Sequence, residues 1–272
     1  MTEKENNPIK NDFKKLSIQV GLNGLSFCTL VTISQKILVY EHIAFKTAST
    51  PYLVLKELKT AVNTHNLSSN QFSEVLVIHK NSFFSIVPKT LFNEEELPNY
   101  LKFKAKMIAN DQVSHDELDN HELVNVYIPF TNINNYIFDL FGEFTYTHSG
   151  SVLIGTLLDN NTSSGTFCYV QIAEKDFEIV SISEKKLLLY NYFDYKTKED
   201  FLYYLLFTLE QLNLDTETIE LRLFGLVEED DVLYQLCHTY VKNVSVFVPP
   251  NSFHQAGLSN SESIDFTVLN AL

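Results

Sequence analysis

The chain has 272 residues, 45% of them apolar and 20% charged, which suits one large or two modest domains with a proper core. No run of about 18 apolar residues occurs, so no membrane-spanning helix and no membrane insertion are expected. A formal net charge of −14 repels nucleic acid, and a single arginine, Arg222, with only 8 glycines leaves little material for cradling phosphates.

Residues 1–15 are polar and charged, without the apolar stretch of an export signal, and read as a disordered lead. Leu16 to Gly21 is a predicted strand. Asn23-Gly24 signals a type I′ hairpin, with Leu25 to Ile33 returning and Ile37 to Phe45 following as a third strand. Ser49-Thr50-Pro51 caps a helix whose stripe is Leu55, Leu58 and Val62. Glu74 to His79 and Ser82 to Val87 are predicted strands, with Phe83-Phe84 an exposed pair if the second strand lies at a sheet edge. Glu94 to Ile108 reads as a helix carrying Lys102, Lys104 and Lys106. Val124 to Ile128 is a strand and Asn132 to Phe141 a helix. Turn formers from Asp159 to Gly165 separate a first half, 16–158, from a second, 166–272.

In the second half, Thr166 to Ala173 and Phe177 to Ser183 flank Glu174-Lys175-Asp176, and Leu187 to Phe193 is a third strand. Thr197 and Asp200 form a capping-box pattern before a helix from Phe201 to Leu212. That helix is apolar nearly all round, so Tyr203, Tyr204 and Phe207, which could line a ligand cleft, are expected rather in the core. Ile219 to Phe224, Asp231 to Val241 and Val244 to Val248 follow as strand, helix and strand. The halves echo each other: Lys36-Ile37-Leu38-Val39-Tyr40 and Lys186-Leu187-Leu188-Leu189-Tyr190 lie 150 positions apart (186 − 36), as do Lys46-Thr47 and Lys196-Thr197.

A repeated β-β-β-α-β-α-β order with a helix buried in each half resembles the actin-like ATPase fold of sugar kinases, heat-shock chaperones and bacterial pilus-assembly and division proteins. The whole chain resembles a bacterial family known only as a domain of unknown function with that fold. The segments that carry this are Ser17 to Gly21, Tyr100 to Phe103, Asn125 to Pro129 and Tyr169 to Ile172. The resemblance implies an α/β protein of duplicated actin-like (ribonuclease-H-like) units, two lobes around a central cleft. Active members carry Asp-x-Gly in the first hairpin of each half. Here those positions are Gln19-Val20-Gly21 and Gln171-Ile172-Ala173, and the adenosine-binding Gly-Gly is reduced to Gly225. An amide binds Mg²⁺ weakly and is no general base.

The expected function is therefore that of a non-catalytic interaction or scaffold protein in the cytoplasm, partnered by protein, with no cofactor. The alternative is a nucleotide-binding protein or weak ATPase holding Mg-ATP in the cleft, with Gln19, Gly21, Asn23, Gly24, Gln171, Glu174, Lys175, Asp176 and Gly225 as candidate residues. His115, Asp119 and His121 are weak metal candidates in a segment, 110–122, that otherwise reads as a solvated acidic loop. His148-Ser149-Gly150 reads as a turn or helix cap rather than a nucleophile with its base. Cys28, Cys168 and Cys237, scattered in apolar segments, read as reduced, buried thiols.

Overall fold

Leu16, Ile18 and Val20 alternate with Ser17 and Gln19. In the computed structural model, which describes residues 13–104, 112–161, 163–248 and 265–271, all five side chains are buried. A strand covered on both faces belongs at the centre of a sheet flanked by helices. This strand, β1 (Lys14–Gly21), is the middle of five. It pairs antiparallel with β2 (Gly24–Val31) and parallel with β4 (Glu74–Lys80). Outside them lie β3 (Lys36–Ala44) and β8 (Thr145–His148), giving the order β3-β2-β1-β4-β8.

The crossover from β3 to β4 is α1 (Pro51–Thr64), with Pro51 in its first turn and the Thr50 side chain accepting from Leu53 N. Val54, Leu58, Ala61 and Val62 of α1 pack with Ile133 and Ile137 of α3 (Thr131–Phe141) on one face of this sheet. Inserted between β4 and α3 is a three-stranded sheet of β5 (Phe84–Pro88), β6 (Ser114–Leu118) and β7 (Leu123–Tyr127), in the order β5-β7-β6. Beside it lies the short α2 (Leu97–Leu101).

The second lobe repeats the plan. β9 (Thr166–Ile172), β10 (Asp176–Ser183), β11 (Lys186–Asp194), β12 (Glu220–Gly225) and β13 (Asn243–Val246) take the order β11-β10-β9-β12-β13, the counterpart of the first sheet. Even the irregularities match: the β2–β3 and β10–β11 ladders each skip one residue, Leu38 and Leu188. α5 (Lys198–Gln211), with the Thr197–Asp200 capping box, and α6 (Val232–Tyr240) cover the outer face. Between the lobes lie α4 (Ser149–Asn160) and α7 (Phe266–Asn270), which touch each other. α4 packs Leu153, Ile154 and Leu157 against the second sheet, and α7 packs Val268 and Leu269 against Cys28, Leu30 and Ile78 of the first. Cys28, Cys168 and Cys237 are free thiols, and burial pushes each up to about 12.

Several local expectations are corrected. The Asn23-Gly24 turn is not type I′, since neither residue has a positive φ. Gly24 instead starts β2, where a Cβ would lie 2.8 Å from Ile43 O, so glycine is needed there for room. The left-handed pair is Glu184–Lys185, with φ of 47° and 62°, between β10 and β11. The expected helix over 94–108 shrinks to a 3₁₀ turn at Glu94–Glu96 and then α2; residues 105–108 lie outside the described ones. The supposed acidic loop contains strand β6, with Asp116 turned inward. Phe84 is buried and only Phe83 is exposed. On α5, Phe201, Leu205 and Leu209 satisfy the core, which leaves Tyr203 and Phe207 exposed. Sequence periodicity also missed β8, α4 and α7.

Candidate functional site

The period of two in β1 sends Gln19 to the face opposite Leu16, Ile18 and Val20, toward α7 and the space between the lobes. Around that space the structure gathers Gln19, Gly21, Asn23 and Gly24 from the first hairpin with Glu174, Lys175 and Asp176 from the second. The cavity they enclose is about 40 Å³, room for little more than water. Small-molecule sites start at roughly 300 Å³. Two of the sequence candidates stand apart from its lining. Gly225 closes β12 with φ of 93°, and a Cβ there would lie 2.3 Å from Ile172 O. Gln171 is buried opposite Glu178, and its Oε1 has no hydrogen-bond partner among the described residues.

The cleft is closed by its own side chains. Gln19 Nε2 donates to Asp265 Oδ2 at 2.7 Å, and Gln19 Oε1 accepts from the Thr267 hydroxyl. Asp265 caps α7 by accepting from Thr267 N at 3.0 Å, and its own N–H donates to the Tyr40 hydroxyl at 3.1 Å. Asn23 Nδ2 reaches across to Asp176 Oδ2 (3.0 Å) and Asp194 Oδ1 (2.7 Å). Lys175 Nζ donates to Phe45 O of the opposite lobe. Glu174 remains exposed.

At the bottom sits an ion cluster that no motif announced. Lys80 Nζ, at the end of β4, lies 2.6 Å from Asp176 Oδ1 and 3.3 Å from Glu178 Oε2, and all three side chains are buried. Burial opposes the Lys80 charge, but the carboxylates of Asp176, Glu178 and Asp265 outweigh it and hold its pKa above the ordinary value. Glu178 Oε1 also accepts from Ser149 Oγ (2.9 Å) and Tyr190 Oη (2.7 Å), which ties it to α4 and β11. A partial signal was present in the sequence: Lys80 ends the strand that carries the apolar run from Val75 to Ile78, and Glu178 sits between Phe177 and Ile179, where a charge survives burial only when paired.

Behind this cluster, His79 and His148 are fully buried at the ends of β4 and β8. Each accepts a backbone N–H at Nδ1, from Phe130 (3.2 Å) and Gly150 (3.0 Å) respectively. Each therefore donates from Nε2, to Asn134 Oδ1 (2.9 Å) and to Asn81 O (3.1 Å). Burial lowers His79 to about 4 and His148 to about 3. Asp116 accepts from Tyr127 Oη, Thr147 Oγ1, His148 N and Ser151 Oγ. Burial raises its pKa against those four donors.

The three metal candidates do not converge. His121 Nε2 is 2.9 Å from Asp159, Asp119 pairs with Lys89, and the His115 ring packs on Phe92. Among the described residues no three His, Cys, Asp or Glu side chains form a metal-binding group. Arg222 is spent internally, over the ring of Phe167 at 4.3 Å and donating to Tyr169 Oη at 3.0 Å.

A family model described as a protein of unknown function, DUF3822, matches residues 3–244. The chain belongs to the DUF3822 family. It is similar to a Bacteroides thetaiotaomicron protein of unknown function with an actin-like ATPase fold: 20% identity, a TM-score of 0.77, and 93% of this chain over 98% of that one. It is also similar to a chain of the PilM–PilN type IV pilus biogenesis complex, at 11% identity and a TM-score of 0.61, with 94% and 97% covered. A search of curated proteins finds no match. At these identities the likeness shows the fold: this DUF3822 protein is a two-lobed actin-like α/β molecule. Among its described residues no helix is long and apolar enough to cross a membrane.

Proposed function

We propose that this DUF3822 protein is a non-catalytic interaction or scaffold protein built on an actin-like fold, acting on protein partners. The observation that carries this is the occupation of the cleft by the chain itself. Gln19 stands where the fold's catalytic carboxylate would be, and α7 holds it. Asp176, the acid best placed to substitute, is already paired with Lys80 and bonded to Asn23. Phosphoryl transfer needs carboxylates free to organise magnesium and its phosphates. On this reading Gln19, Asn23, Lys175 and Asp176 fasten the lobes. A protein of this fold in the PilM–PilN complex is consistent with a protein partner, and the charge of −14 disfavours nucleic acid.

The competing reading, a nucleotide-binding protein or weak ATPase, would require the lobes to part and Lys80 to exchange its carboxylate partners for phosphate. The test is Mg-ATP titrated into the full chain, followed by calorimetry, thermal shift and phosphate release. The expected outcome is no saturable heat, an unmoved Tm and no release above background. Saturable binding with a raised Tm would replace the scaffold reading with the nucleotide-binding one.

A further inference from the structure

On the outer face of the second lobe, α5 and α6 border a groove of about 460 Å³. Its floor is Leu202, Leu206 and Leu236, each half-buried. Its walls are aromatic: Tyr203 and Phe207 stack with centroids 6.0 Å apart and planes 16° from parallel, and Tyr240 stands on α6. Tyr203, Phe207 and Tyr240 are 62%, 45% and 52% exposed, although α5 meets its packing needs through Phe201, Leu205 and Leu209. These rings do not serve the core. Exposed aromatics around a concave apolar floor mark a docking surface.

Shape and charge together specify the occupant. The groove runs along α5 from Glu199 to Glu210, about 16 Å at 1.5 Å per residue, or some three turns of a partner helix. Lys198, at the start, lies 4.0 Å from Glu199. Glu210, at the other end, is exposed and has no ion-pair partner among the described residues. It sits at the C-terminus of α5, where the helix dipole adds to its negative potential. A second copy of this chain, itself at −14, is disfavoured there. We infer that the α5–α6 groove docks an amphipathic helix of a protein partner, its apolar stripe on the leucine floor and a Lys or Arg over Glu210. This rests on the interaction-protein reading above and supplies it with a surface and a class of partner.

The test uses the full chain and a fluorescent helical peptide with leucines along one face and lysines along the other, read by anisotropy. Saturable binding is expected, weakened about tenfold or more by the Tyr203→Ser, Phe207→Ser double variant. Glu210→Lys should weaken the lysine peptide and strengthen a version carrying glutamates. Since Glu210 is exposed, this arm decides the matter even if the double variant folds poorly. Equal binding by wild type and both variants would overturn the groove. So would sedimentation showing a dimer that the double variant abolishes, because the occupant would then be a second copy. Nucleotide binding in the cleft would overturn the scaffold reading while leaving the peptide result intact, so the two failures are distinguishable.

Discussion

Gln19 and Asp265 lie 246 positions apart, yet Gln19 Nε2 donates to Asp265 Oδ2 at 2.7 Å while Gln19 Oε1 accepts from the Thr267 hydroxyl. An amide has both the donor and the acceptor that this requires. A carboxylate here would face Asp265 with no proton to offer. The glutamine is thus matched to α7, which a lost aspartate alone would not explain.

Gln19→Asp, the substitution that restores the fold's acidic residue, is therefore expected to destabilise the protein by about 2–4 kcal/mol and to confer no ATP hydrolysis. Urea unfolding and a phosphate-release assay check the two halves of that statement. Unchanged stability together with Mg-ATP turnover would return this position to catalysis.

Lys80→Met should cost about 3–5 kcal/mol, because it leaves Asp176 and Glu178 buried without their cation. Adding Glu178→Gln should recover part of the loss, since one orphaned charge is then neutral. A double-mutant cycle that came out additive would show that the two groups are not coupled.

Most strands were legible because Leu16, Ile18 and Val20, or Val170 and Ile172, carry plain period-two or continuous apolar signals, whereas β6 and β8 were not, and the sheet order followed only from the resemblance to the actin-like fold. The central helix α4 was not. It starts at Ser149 behind a histidine cap, without the usual Ser, Thr, Asp or Asn, and it contains Gly150 and Gly155. α7 has 5 residues, too few to show a period. At the cleft, both hairpins could be read from the fold's motif positions. The residues that close them, Lys80, Glu178 and Asp265, come from strand ends and a distant helix that only the three-dimensional arrangement brings together. The exposure of Tyr203 and Phe207 was also hidden, because composition does not say which face of a helix the sheet covers.

Gly150 gives a test whose sign is diagnostic. At an unconstrained helical site, glycine to alanine stabilises by roughly 0.5–1 kcal/mol. Here an added Cβ would lie 2.2 Å from Tyr190 Cε1, and that ring is buried and bonded to Glu178. Gly150→Ala is expected to destabilise by about 2 kcal/mol or more. A thermal melt showing stabilisation would mean that α4 and β11 are not packed as described.

The last expectation is loss of stability in mild acid through His79 and His148. Each ring is neutral in the folded protein, with Nδ1 accepting and Nε2 donating, so a second proton would displace the N–H of Phe130 or Gly150. Burial lowers their pKa values from 6.5 to about 4 and about 3. The unfolded chain therefore binds protons that the folded one refuses. The stabilising contribution is complete above pH 6.5 and falls as pH drops from there toward 4 and 3. Linkage gives a loss of about 2 kcal/mol per histidine between pH 7 and 5. Asp116 acts in the opposite sense: its raised pKa favours the folded state as pH falls through that value toward 3.8, which offsets part of the loss at the acid end. Urea unfolding at pH 7, 6 and 5 should show the decline, and imidazole NMR should find two rings that do not titrate above pH 5. A stability that stays level over that range, or titration of the assigned His79 and His148 rings near 6.5, would place these histidines in contact with water.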